Sequence, residues 1–174
     1  MQNKKIKLLS IFIVALLMTG LFACLSGNAL ADPEPTVWVS SVTGKAGETV
    51  TFTVSVENNP GISGYGMTLV YDPAKLTYVS AQAGELLVDN FFALRVAADK
   101  ININSYNSRG ASEPGRVLFT FVMKINEGVT DSVLGEEAIK LGYVNQITDV
   151  FVFLLSTGDT FLLPTITQPI INIQ

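Results

Sequence analysis

The stretch Val50-Thr51-Phe52-Thr53-Val54-Ser55-Val56-Glu57 decides the fold class. Apolar residues occupy every second position, and hydroxyls or a carboxylate fill the places between. That period places Val50, Phe52, Val54 and Val56 on one face of a strand, with core on that side and water on the other. The same pattern recurs downstream. Tyr65, Met67, Leu69 and Tyr71 alternate with Gly64, Gly66, Thr68 and Val70, and Ile101 and Ile103 alternate with Asn102 and Asn104. Val117, Phe119, Phe121, Met123 and Ile125 share a face opposite Leu118, Thr120, Val122 and Lys124. Weaker candidates cover 37–42, 75–81, 91–97, 138–144, 150–155 and 167–173, which makes about nine or ten short strands.

Turn chemistry separates these runs. Gly44-Lys45-Ala46-Gly47 links the first two, and Asn58-Asn59-Pro60-Gly61 suits a turn with Gly61 at positive φ. Pro73 forces Asp72 into an extended conformation and ends the preceding strand, with Asp72 as its cap. Further loops are marked by Gly110 to Gly115 and Asn126 to Gly128. No stretch after residue 36 carries a helical stripe, and Gly135 to Lys140 is compatible with one short turn. Many short strands with regular turns predict a single all-β sandwich, without repeats or a second domain.

The first 31 residues read as an address. Lys4, Lys5 and Lys7 precede an apolar run from Leu8 to Leu25, and Ala29-Leu30-Ala31 supplies a small-x-small cleavage pattern. The expectation is a signal peptide over 1–31, a domain over 32–174 and a secreted product. A competing reading takes Leu21-Phe22-Ala23-Cys24 as a lipobox, which makes Cys24 a lipidation site and the protein a cell-surface lipoprotein. A third leaves the apolar run as an uncleaved anchor, for which it is short. Cys24 is the one cysteine of the chain, so on any of these routes the exported domain relies on its core without a disulfide.

Charge then narrows the function. The chain has 11 basic and 15 acidic side chains for a net charge of −4, and the first 31 residues hold three of the basic groups and none of the acidic. An acidic domain argues against nucleic acid as a partner. With no histidine, a Ser-His-Asp triad and a His-ligated zinc are both excluded. Asp131, Glu136 and Glu137 could suggest a carboxylate pair or a calcium site, but with no further acidic cluster nearby they read as a solvated loop.

The run Val42 to Val50 with its following strand, Asn59 to Tyr65, Leu69-Val70-Tyr71-Asp72-Pro73-Ala74-Lys75-Leu76, Ala83 to Leu87 and Gly115 to Phe121 together resemble a cohesin domain over about 36–125. The resemblance implies a nine-stranded jelly-roll sandwich without catalytic activity. Its implied partner is a dockerin, a small helical module carried by another protein of a cellulosome-like polysaccharide-degrading assembly. No cofactor is implied for this chain, since calcium belongs to the dockerin. The implied docking residues are Gly64, Gly66, Thr68 and Val70 on one strand and Asn102, Asn104 and Tyr106 on another. The pattern departs from the best-known cohesins at Gly64 and Gly66, where those often carry Asn and Asp. The tail after Ile125 diverges, and 154–160 has no counterpart.

A carbohydrate-binding module of similar shape is the alternative, with polysaccharide as the ligand. Tyr106 is its best exposed aromatic. Tyr65 falls on the inward phase, and Trp38 reads as core or sheet-edge packing in preference to a sugar platform.

Overall fold

The computed structural model describes residues 34–86, 91–111, 116–142, 152–155 and 161–174. The expected signal segment, Cys24 and most of 154–160 lie outside the described residues. Fourteen strand segments and no helix are found among the described residues. They are β1 (Thr36–Val39), β2 (Val42–Gly44), β3 (Thr49–Glu57), β4 (Ile62–Tyr71), β5 (Leu76–Ala83), β6 (Phe91–Val96) and β7 (Lys100–Ala111). The remainder are β8 (Arg116–Ile125), β9 (Val133–Leu134), β10 (Ile139–Gly142), β11 (Val152–Leu155), β12 (Phe161–Leu162), β13 (Thr165–Thr167) and β14 (Ile171–Ile173).

Two large sheets form the sandwich. One has the order β13-β1-β3-β8-β5, and the other β12-β11-β4-β7-β6, with β10 also paired to β4. A small third sheet, β2-β14-β9, comes from strands that leave the main layers. β1 pairs in parallel with β13, and β2 with β14, so the two ends of the domain run side by side. Both runs break midway, at Ser40-Ser41 and at Gln168-Pro169-Ile170. Pro169 has no N–H to give to a ladder, which suits the second break. These breaks, together with the short β9 and β12, explain why segments outnumber the expected strands.

The core follows the period of two. Val50, Phe52, Val54 and Val56 from β3 face Tyr65, Met67 and Leu69 from β4, and all are buried. Phe52 stacks on Phe121 at 4.6 Å between ring centroids, and Tyr65 lies 6.1 Å from Phe119. The Tyr65 hydroxyl donates to the Leu118 carbonyl across the sandwich at 2.8 Å. That bond lets a phenol occupy the interior without an unsatisfied polar atom.

Turn predictions resolve into particular bonds. Asp72 Oδ1 accepts from the Ala74 N–H at 2.9 Å, capping the turn ahead of β5. Gly61 adopts φ +88°, and Asn58 takes the left-handed conformation that its side chain tolerates. Glu48 Oε2 accepts from the Lys45 N–H inside its hairpin loop. The stretch 135–140 makes one turn, in which the Ala138 and Ile139 N–H groups both reach the Gly135 carbonyl.

One expectation fails. Trp38 is in neither the core nor a sheet edge: it is 44% exposed on β1, which is flanked by β3 and β13. Val37 and Val39 are buried and take the inward phase, so the residue between them must face out.

Candidate functional site

The inward residues of β4 and β7 define the opposite face by exclusion. Met67 stands opposite Ile103 and Leu69 opposite Ile101, all buried. The intervening positions therefore form three outward rows: Gly64 with Tyr106, Gly66 with Asn104, and Thr68 with Asn102. The seven residues singled out from the sequence thus come together on one sheet face, with Val70 completing the series opposite Lys100. Neighbouring strands are spaced ~4.8 Å apart, and successive outward residues of one strand ~6.8 Å apart.

Membership of the face does not make these residues equally accessible. Tyr106 is 49% exposed and Asn104 is exposed, whereas Asn102, Gly66 and Val70 are half-buried. Thr68 is 2% exposed, and its Oγ1 donates to Asn102 Oδ1 at 3.0 Å. That bond ties the Asn102 amide to β4, so the buried Thr68 acts on the face through Asn102.

Gly64 is a place of close approach. A Cβ there would stand 2.9 Å from the Ser105 carbonyl oxygen and 3.3 Å from Tyr106 Cδ2. A backbone oxygen held in a ladder cannot yield to that contact, so the missing side chain is what lets the Tyr106 ring lie beside β4. The departure at Gly64 from the familiar Asn or Asp therefore has a geometric cause.

β6 extends the face beyond the residues anticipated from sequence. Phe91 is paired with Tyr106, Ala93 with Asn104 and Arg95 with Asn102. Phe91 is 69% exposed, so the Gly64 row continues into two adjacent aromatic rings open to solvent. Sequence reasoning does not reach it because Phe91-Phe92 is a doublet in a weakly patterned run, and alternation alone does not say which ring faces out. Phe92 is the one packed against the core.

The charges sit at the other end. Arg95 and Lys100 stand on this face, and Lys140 of β10 pairs with Val70. Lys140 is held by Glu136 at 2.8 Å. No carboxylate stands on the described outward positions of β4, β6 or β7. The face therefore runs from an aromatic end through amides to a basic end.

The acidic residues weighed for catalysis or calcium are engaged one by one, Glu136 by Lys140 and the other two away from this face. Asp131 pairs with Lys75 at 3.3 Å, and Glu137 Oε1 accepts from the Gly135 N–H at 2.9 Å. Backbone hydrogen bonds, that of Gly135 first, hold the Glu137 carboxyl below its ordinary pKa. No group of three or more acidic, Cys or His residues converges on a metal site among the described residues.

Comparison with solved structures agrees with the architecture. A non-cellulosomal cohesin from the archaeon Archaeoglobus fulgidus superposes with a TM-score of 0.66 at 17% identity, covering 82% of this chain and 92% of that one. A cohesin–dockerin complex from Clostridium thermocellum gives 0.67 at 16% identity, covering 82% and 100%. The sixth cohesin of scaffoldin B from Acetivibrio cellulolyticus, solved with a dockerin, gives 0.67 at 20% identity, covering 82% and 100%. No curated protein matches the chain. The Cohesin domain family model matches residues 35–152, well over half of the sequence. With the sandwich and its matching strands in place, the chain belongs to the cohesin family.

Proposed function

We propose that this chain is an exported, non-catalytic interaction module that binds a dockerin-bearing partner through the outward face of β4, β7 and β6. The observation that carries the reading is the family match together with a sheet face whose exposed rings, Phe91 and Tyr106, adjoin Asn104 and Asn102 along β7. β4 and β7 are held by ladders on both sides and β6 is paired along β7, so the face is preorganised and little ordering cost falls on it when a helix docks. Aromatic anchors beside hydrogen-bonding amides match the usual anatomy of a protein interface. Solved cohesins of the same fold are seen with dockerins, which supports the choice of partner. A cellulosome-like polysaccharide-degrading assembly is the setting that this partner implies.

Calorimetry against the dockerins encoded in the same genome tests the reading. We expect 1:1 binding to at least one, weakened at least tenfold by Phe91→Ala with Tyr106→Ala, a loss of about 1.4 kcal/mol or more. Failure with every dockerin would remove the assignment. Mass spectrometry of the exported protein tests the leader: a mature chain starting at Asp32 supports signal-peptide cleavage, and a lipidated Cys24 supports the lipoprotein route.

A further inference from the structure

The second large sheet has an outward face of different chemistry, centred on a residue that hydrophobicity alone would place inside. Trp38 is the chain's single tryptophan and is 44% exposed. Its register partners are Ser55 on β3 and Thr167 on β13. On one side Thr36 stands opposite Thr165, and on the other Thr53 stands opposite Thr120, which is opposite Gln82. The rows through Trp38 and through Thr53 carry no charged side chain. Charges come only toward the ends of β3, where Glu57 stands opposite Thr36 and Lys124 opposite Thr49.

We infer that this face is a second binding site, taking a neutral polysaccharide chain with a sugar ring stacked on Trp38. A pyranose ring has an apolar C–H face and a rim of hydroxyls. The indole can cover the first, and Ser55 and Thr167, each one strand away at ~4.8 Å, lie within reach of the second. A neutral ligand needs no ionic partner, and these rows offer none. A protein partner calls for something else, a cluster of apolar and Arg anchors inside a polar rim. Here Trp38 is the one aromatic ring of its row, flanked by the hydroxyls of Thr167 and Ser55, with Val117 beyond Ser55 as the single apolar neighbour. The site lies on the opposite layer from the Phe91–Tyr106 face and does not depend on the dockerin reading.

The test uses the purified protein, whose intrinsic indole fluorescence reports one residue. Titration with cellohexaose and xylohexaose should shift the Trp38 emission saturably, and native gels containing soluble neutral β-glucan or xylan should retard the protein. Trp38→Ala should abolish the retardation, Trp38→Phe should retain part of it, and Phe91→Ala with Tyr106→Ala should leave it unchanged. Because Trp38 is half in solvent, the melting temperature of each variant confirms that folding is intact. Equal retardation of wild type and Trp38→Ala would overturn the inference. So would an emission that responds to no neutral glycan, or a Trp38 surface that instead captures a protein.

Discussion

At Tyr65 a single hydroxyl links the two layers, and its environment has a consequence at alkaline pH. Burial is the main cause that pushes its phenol well above the ordinary value of 10, with nearby Ser105 pulling slightly the other way. Tyr71 and Tyr78 are also raised, each first by burial. The folded state therefore keeps phenolic protons that the unfolded chain releases above pH ~10, and stability must fall as pH rises past that value. The contribution is fully present at neutral pH. Urea midpoints measured from pH 8 to 11.5 should decline above pH 10, by up to ~1.4 kcal/mol per pH unit for a fully shifted phenol. Tyr65→Phe should reduce that decline, leaving the part due to Tyr71 and Tyr78, while costing only ~1 kcal/mol at pH 7, because the Leu118 carbonyl still accepts from the Gly84 N–H. A flat wild-type profile would refute the account. Gly64 supplies the other residue-level prediction. Gly64→Asn, the substitution toward the familiar cohesin pattern, must push against the Ser105 carbonyl. It should cost ~1–3 kcal/mol, lowering Tm by several degrees in a thermal melt. An unchanged Tm would mean that the close approach is not rigid.

Among the elements, β3, β4 and β8 are legible from sequence because alternation is strict where one face is buried and the other wet. Their core phases and the inward turn of Tyr65 follow from it, whereas the co-location of Gly64, Gly66, Asn102 and Asn104 is implied by the cohesin resemblance and rests on the β4–β7 pairing. Trp38 defeats the same logic, because its hydrophobicity points inward while its neighbours Val37 and Val39 hold the inward positions. Phe91 escapes it for the converse reason, since two adjacent rings leave the phase open. Accessibility of Thr68 is not legible either, as it depends on the strands that flank β4 there, β7 on one side and β10 on the other. The C-terminal elements are least legible because their pairing is parallel, short and distant in sequence. One of their ties uses a side chain. Gln168 accepts from the Leu141 N–H at 2.9 Å and donates to its carbonyl at 2.7 Å, standing in for a strand beside β10. Gln168→Met keeps the shape but leaves both Leu141 groups unpaired, and should cost ~1–3 kcal/mol by chemical denaturation. Gln168→Asn, too short to reach both groups, should not restore the loss. A neutral result for Gln168→Met would show that water replaces both bonds without cost.

At the scale of the whole domain, the two large faces differ in composition while sharing one interior. The cohesin domain has no cysteine, so a reductant has no bond to break in it. Its carboxylates are spent one at a time, on Lys75 by Asp131, on Lys140 by Glu136 and on Arg116 by Glu85. Exposed pairs of this kind contribute little, so burial of the Phe52, Phe119 and Phe121 cluster carries the fold. Calcium should then act on the assembly and not on this chain. A chelator such as EDTA should leave the Tm of the free protein within about a degree of its value with calcium, in the presence or absence of a reductant. The same chelator should abolish the complex with a dockerin if calcium belongs to that partner, as the cohesin resemblance implies. The complex, being a ligand bound to the native state, should raise the Tm of this chain only while calcium is present. A Tm that drops on chelation in the free protein would place a structural cation in this chain and overturn the division of roles between the two partners.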